Sequence, residues 1–243
     1  MKTFLRSFAP QPLNTHPGEW LRAAIGASVG MFISALLSQW LFGMDLTLHL
    51  LGPMAASAVL LFAVSTGALA QPWSIIGGYL VSALVAVACV RGFGNTLTAV
   101  GIAAGASILL MCVCRCLHPP GAAVAACIIS SQQSLSALGV EVLYPVMFNA
   151  GCLLTIALIY NNLTRIRYPA TRSPSPPARA AAATTGHQGV SSEDLSKALE
   201  ETDAFVDVSR EELEAILRRA QAHALQRDRS DIDTSRQNAD IGH

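Results

Sequence analysis

The chain has 243 residues, 52% of them hydrophobic, with 16 basic and 16 acidic side chains in balance. Zero net charge and the lack of any basic stretch interleaved with aromatics give nucleic acid no footing as a partner. Between positions 23 and 160 the only Lys, Arg, Asp or Glu residues are Asp45, Arg91, Arg115 and Glu141. A soluble domain carries about a quarter charged residues, so an ordinary water-facing surface is excluded for this stretch.

Residues 1–21 show no apolar run before Arg22 and read as an N-terminal cytoplasmic segment without a removable signal peptide. Glu19 and Arg22 stand one helical turn apart, the spacing of an ion pair at a membrane edge. Six apolar segments follow, at about 22–42, 46–66, 74–91, 97–116, 119–131 and 138–160. Crossing a bilayer takes roughly 20 apolar residues. The first, fourth and sixth segments meet that length, and the third is borderline. The second is interrupted at Gly52-Pro53, and the fifth begins at Pro119-Pro120 and is short. Such interrupted pieces survive at membrane depth only inside protein or beside water. The expected fold is therefore all-α: a polytopic membrane helical bundle of six apolar segments, four to six of them crossing. Lys2, Arg6 and Arg22 before the first segment, and Arg165, Arg167, Arg172 and Arg179 after the last, predict both termini on the cytoplasmic side.

Six cysteines lie in these segments, Cys112, Cys114 and Cys116 close together. No standard zinc spacing appears, and the default for buried cysteine is a small hydrophobe, so no metal and no cofactor are expected. Gly26-x-x-x-Gly30 and Gly101-x-x-x-Gly105 suit close helix packing in lipid.

Two stretches look duplicated. LGPMAASA from Leu51 matches LHPPGAAV from Leu117, and Pro72 with Gly78 repeats the spacing of Pro145 with Gly151. Three segments per copy would make a 3+3 inverted repeat, the architecture in which paired Gly/Pro-interrupted segments mark a transport site near the midplane. Proline suits a first helical turn, so Pro53 and Pro119 are expected to start two short helices whose electropositive ends favour a small anion. The candidate substrate-binding residues are His118, Pro119, Pro120, Arg115, Pro53, Ser57, Gln71 and Asn149. An ionisable group at membrane depth such as His118 is a functional candidate by default, with a backbone-locking role as its structural rival. Arg115 reads as an anion partner or a snorkelling interface residue, and Gln71 and Asn149 as interhelical hydrogen-bonders or pore lining. No nucleophile–base pairing emerges and no catalytic residue is assigned: the chain does not read as an enzyme.

Residues 170–190 are rich in Pro, Ser and Ala and read as a flexible linker. Residues 191–227 read as a cytoplasmic helical hairpin, its second helix opened by a capping box at Ser209–Glu212. A hairpin this small is marginal alone and calls for a partner: a second copy, the membrane domain or another protein. Residues 228–243 read as a disordered tail.

LHPPGAA at 117–123 resembles the signature of the HPP family of integral membrane proteins, named for its His-Pro-Pro. MAASAVLLFAVSTGALAQPWSIIGGYLVSAL at 54–84, NNLTRIRYP at 161–169 and Glu19-x-x-Arg22 fit the same family. The resemblance spans nearly all of a transmembrane domain placed at 22–169. Ala55, Ser65, Ala68 and Ala122 depart from the family's usual Gly or Pro. The resemblance implies a four-spanning membrane domain of bacterial type lacking the C-terminal CBS domains of many members, located in the inner membrane. It also implies transport of a small anion, nitrite in plastid and cyanobacterial members. The rival expectation is a non-transporting membrane anchor or sensor subunit whose tail hairpin recruits a partner.

Overall fold

The computed structural model describes residues 16–131, 134–170 and the single position 217. Apart from position 217, the linker, hairpin and tail lie outside the described residues, as does nearly all of the N-terminal segment. Everything below concerns the compact unit Thr15–Arg172.

Six α-helices make up this unit: α1 Pro17–Phe42, α2 Met44–Phe62, α3 Pro72–Phe93, α4 Leu97–Val113, α5 Pro119–Ser130 and α6 Leu143–Leu163. Short 3-10 turns at Ala68–Ala70 and Ser136–Val142 connect α2 to α3 and α5 to α6. No strand occurs among the described residues. Local chemistry sets the boundaries. Proline occupies the first turn of α1, α3 and α5, where its missing N–H costs nothing. Thr96 caps α4 by accepting from the Ala99 N–H at 3.1 Å. Gly43 and Gly94, at φ 87° and 67°, stop α1 and α3 in backbone that only glycine adopts freely. Arg115 and Arg165 take the corresponding left-handed position after α4 and α6. There the Cys116 and Ile166 N–H groups reach back to the Met111 and Asn161 carbonyls, both at 2.9 Å.

Four stretches are long and apolar enough to cross a membrane: Pro17–Phe42, Met44–Phe62, Pro72–Phe93 and Ser136–Leu163. Leu97–Val113 and Pro119–Ser130 are shorter. Two sequence expectations are corrected here. The second segment is not interrupted: α2 runs through Pro53, which sits in its interior and removes one helix hydrogen bond, so Pro53 starts no helix. The fourth segment, counted as a full span, folds as a helix of 17 residues because the chain turns at Cys114 and Arg115. Exposed Trp20 and Trp40 stand 20 residues apart on α1, about 30 Å along the axis, which matches the hydrocarbon thickness between two aromatic belts.

Packing follows a two-fold pattern. α1 lies on α2 and α6; α4 lies on α5 and α3; α2 lies on α6 as α5 lies on α3; α2–α5 and α3–α6 pack across the centre. Exchanging the first three helices for the last three leaves this set unchanged. Burial keeps the same phase. Gly26, Gly30, Ser34 and Ser38 of α1 fall on Ala99, Ala103, Ser107 and Met111 of α4 at a constant shift of 73 residues (26 to 99, 38 to 111). In the inner helices, Pro53, Ser57 and Leu61 fall on Pro120, Val124 and Ile128 (shift 67). Ser74, Gly78 and Ser82 fall on Pro145, Asn149 and Leu153 (shift 71). The direction is inverted. Arg22 near the start of α1 contacts the ends of α2 and α6, and Tyr168 beyond α6 contacts the approach to α3. The α4 end contacts the start of α3 through Trp73 Nε1 and the Cys114 carbonyl at 3.2 Å. Each helix therefore runs opposite to its mate. The sequence repeat is real in phase and wrong in register: Pro53 pairs with Pro120 rather than Pro119, and Gly78 with Asn149 rather than Gly151. Matching identities misplaced it because the two halves share burial period more than residues.

Candidate functional site

Cys116 and His118 of the α4–α5 turn are buried in the bundle, whereas Cys114 and Arg115 are exposed. Cβ atoms built on Gly77 and Gly78 would stand 2.7 and 2.6 Å from the Cβ atoms of Cys116 and His118. Those glycines are five and six residues into α3, so the turn packs about 8 Å from the helix start. Gly121 repeats the device, since its Cβ would meet the Gly78 carbonyl at 2.8 Å. Glycine at three positions lets α5 seat its first turn directly on the α3 backbone. The connection at 63–71 covers the turn and supplies the carbonyl that fixes His118.

His118 has no exposed surface. Its Nδ1 lies 2.8 Å from the Leu69 carbonyl, which can only accept, so Nδ1 carries hydrogen. In the neutral ring Nε2 then accepts, and Ser57 Oγ at 2.8 Å is its donor. Ser57 in turn accepts from the Tyr79 hydroxyl at 2.8 Å. One directed chain thus runs Tyr79, Ser57, His118, Leu69 and joins α3, α2, the α5 cap and the connection at 63–71. Besides Tyr79 and Tyr168, the buried polar side chains among the described residues are Ser, Thr, Asn and His; no carboxylate is buried with them.

The remaining sequence candidates fall in several places. Pro119 and Pro120 open α5, but neither has an N–H, and the Gly121 N–H is held by the His118 carbonyl at 2.8 Å. The first turn of α5 therefore offers no free donor as far as Gly121. With Pro53 inside α2, the arrangement of two facing helix starts does not exist. Arg115 is exposed on the turn before α5. Gln71 caps α3 from the covering connection, donating to the Ser65 and Gly67 carbonyls at 3.1 and 2.9 Å and accepting from the Ala170 N–H at 3.0 Å. Asn149 is buried on α6, away from His118 in the packing order, and donates to Ser38 Oγ at 3.0 Å and the Pro145 carbonyl at 2.7 Å. Thus His118 and Ser57 come together, Pro119, Pro120 and Gln71 border them, and Asn149 belongs to another cluster.

Tyr79 was missed by sequence reasoning. Its signal was a tyrosine inside an apolar run directly after Gly77-Gly78, since a buried phenol requires a partner. Asn161, near the end of α6, ties two other helices to it. Its amide donates to the Leu61 carbonyl at 2.9 Å and accepts from Arg22 Nη1 at 3.0 Å. Arg22 also bonds Glu19 at 2.6 Å and the Phe62 carbonyl at 2.9 Å, placing a cation on the carbonyl end of α2. The Glu19–Arg22 pair expected from sequence is present. Tyr168, beyond α6, donates to the Ala70 carbonyl at 2.6 Å, and burial pushes its phenol pKa up, keeping it a donor.

These features define a multi-pass helical membrane protein built from two inverted three-helix halves around a short buried polar chain. The chain matches the transmembrane region of the HPP family over residues 12–169 and belongs to that family. It is 34% identical over 151 residues to a protein of Dictyostelium discoideum described as a transmembrane protein, covering 60% of this chain and 48% of that one. A second transmembrane protein of the same organism is 38% identical over 126 residues, covering 49% and 44% respectively. The chain thus matches about half the length of these relatives. No solved structure matches it.

Proposed function

We propose that the bundle is a channel or secondary transporter for a small anion, with nitrite as the first substrate to test. The observation that carries this reading is the inverted packing of the two halves, the arrangement in which one half rocks against the other around a central site. The Tyr79–Ser57–His118 chain lies where elements of both halves meet: α2 and α3 from the first, the α5 cap from the second. A small anion there would take a hydroxyl donor by displacing the Tyr79–Ser57 or Ser57–His118 bond, with no buried carboxylate among the described residues to repel it. Helix-terminus attraction, the argument first suggested by the prolines, gives no support. Nitrite itself rests on the family resemblance.

On the same reading the protein is not an enzyme, the termini face the cytoplasm of a bacterial cell and the membrane is the inner one. The test is flux into proteoliposomes with nitrite, nitrate, formate and chloride. Uptake of at least one anion is expected, and His118→Ala should change its rate or pH profile while still inserting. No flux for any of the four, with a protein retained by the C-terminal tail, would replace transport with the anchor or sensor role.

A further inference from the structure

Away from His118, the α1–α6 contact carries a second polar cluster that the transport reading does not use. Thr47 Oγ1 shares its hydrogen between the Gly43 carbonyl at 2.8 Å and Ser38 Oγ at 3.1 Å. Ser38 accepts from Asn149 Nδ2. The amide orientation is fixed, because a flipped Asn149 would set its oxygen against the Pro145 carbonyl. With the amide so held, Asn149 Oδ1 is buried without a hydrogen-bond partner among the described residues, and so is Ser34 Oγ. Ser34 has no exposed surface and Asn149 is 1% exposed.

The two orphans lie at one level of the bundle. α1 and α6 run antiparallel, with Ser38 meeting Asn149 and Gly30 facing Leu153, whose Cδ1 would be 3.2 Å from a Cβ there. Ser34 is one turn from each of its own neighbours in this ladder and therefore sits between Asn149 and Leu153. On α2, which packs on both α1 and α6, Pro53 deprives the His49 carbonyl of its usual helix donor. The equivalent level in the other half is different. Ser107, the mate of Ser34, is also an orphan, but the mate of Asn149 is Gly78 and the mate of Ser38 is Met111, which takes a weak bond from Ser82 at 3.8 Å. Only one half therefore pairs the bare serine with a bare amide oxygen.

An unpartnered amide oxygen in apolar surroundings carries a desolvation penalty, which a ligand that an oxygen atom attracts removes. We propose that Ser34 and Asn149 form a binding site for a monovalent alkali cation that accompanies the anion. A set of neutral oxygens suits a single charge, and hydroxyl, amide and helix-carbonyl oxygens are the ligands hard cations take. Anion movement alone works against or with the membrane potential, and a co-bound cation cancels that charge. The pairing with an anion rests on the transport reading; cation binding is measured apart from it.

The experiment compares melting temperatures of the detergent-solubilised full chain in matched sodium, potassium and N-methyl-D-glucamine salts of nitrite and chloride. Sodium or potassium should raise the melting temperature of the natural protein relative to N-methyl-D-glucamine. Ser34→Ala removes a hydroxyl that supports nothing in the fold, so it should fold and lose that difference. Ser107→Ala should keep the difference and melt higher in every salt, since it deletes a bare buried hydroxyl without a bare amide beside it. Equal melting in all cations, or Ser34→Ala behaving like Ser107→Ala, overturns the site and leaves a buried water as its occupant. A cation effect lost in Ser34→Ala without any anion flux in liposomes keeps the site and removes transport instead.

Discussion

His118, Ser57 and Tyr79 form a chain in which Tyr79 only gives a hydrogen bond and Ser57 both takes one and gives one, so the cost of removing a member depends on what it leaves bare. Tyr79→Phe deletes a terminal donor and leaves Ser57 still bonded to His118. A loss of about 1 kcal/mol is expected, the net worth of one such bond. Ser57→Ala strands the Tyr79 hydroxyl and His118 Nε2 together, at about 1–3 kcal/mol for each bare group. The Ser57→Ala/Tyr79→Phe pair should therefore be more stable than Ser57→Ala alone, since one stranded group is gone. Urea or thermal melts in detergent read this order directly, and a double variant less stable than the single would contradict the assigned hydrogen-bond directions.

Glycine has two opposite meanings at the scale of helices. Gly78 lies under His118, and an added Cβ would fall 2.6 Å from the His118 Cβ, 3.2 Å from the Cys116 carbonyl and 3.3 Å from Met111 Sδ. Gly78→Ala should push α5 off α3 and cost about 1–3 kcal/mol, the usual penalty for overpacking. Gly101 and Gly105 meet nothing within 4 Å, so alanine there collides with no described atom. Their replacement should be neutral or stabilising by up to about 1 kcal/mol each through helix propensity. Melting temperatures of the three single variants give the contrast. A loss at Gly101 or Gly105 comparable to that at Gly78 would show that the α4 outer face is packed in the membrane.

The inverted halves make a prediction about sidedness that applies to the whole molecule. The start of α1 and the end of α6 share one end of the bundle through the Arg22 bonds to Asn161 and Thr164 at 3.0 and 3.5 Å. Gly43 and Val140, which are exposed between helices, belong to the other end. In a cysteine-free background, Gly18→Cys and Leu163→Cys should react with an impermeant thiol reagent from one side of sealed vesicles. Gly43→Cys and Val140→Cys should react only from the other. Gly18→Cys and Leu163→Cys labelled from opposite sides would break the even-parity topology.

The charge desert between positions 23 and 160 and the length of the apolar runs were enough to define a multi-pass helical bundle with both ends on one side. The HPP motif sufficed for the family, and buried His118 was legible as an unusual residue. Those properties are local: a bilayer needs apolar length, and a histidine inside it stands out in any fold. Identities such as Pro53 and Pro119 hinted at duplication but misplaced its register, because what repeats is which face of each helix is buried, and burial is settled only when helices pack. The role of Pro53 was lost for the same reason, since a proline begins a helix or rides inside one according to what its neighbours tolerate. Tyr79 as the partner of Ser57, the bare oxygens of Ser34 and Asn149, and the Arg22 clamp on the end of α2 all join residues at least 22 positions apart or depend on such contacts. Hydrogen-bond satisfaction is a property of three-dimensional neighbours, so the tertiary structure alone decided it.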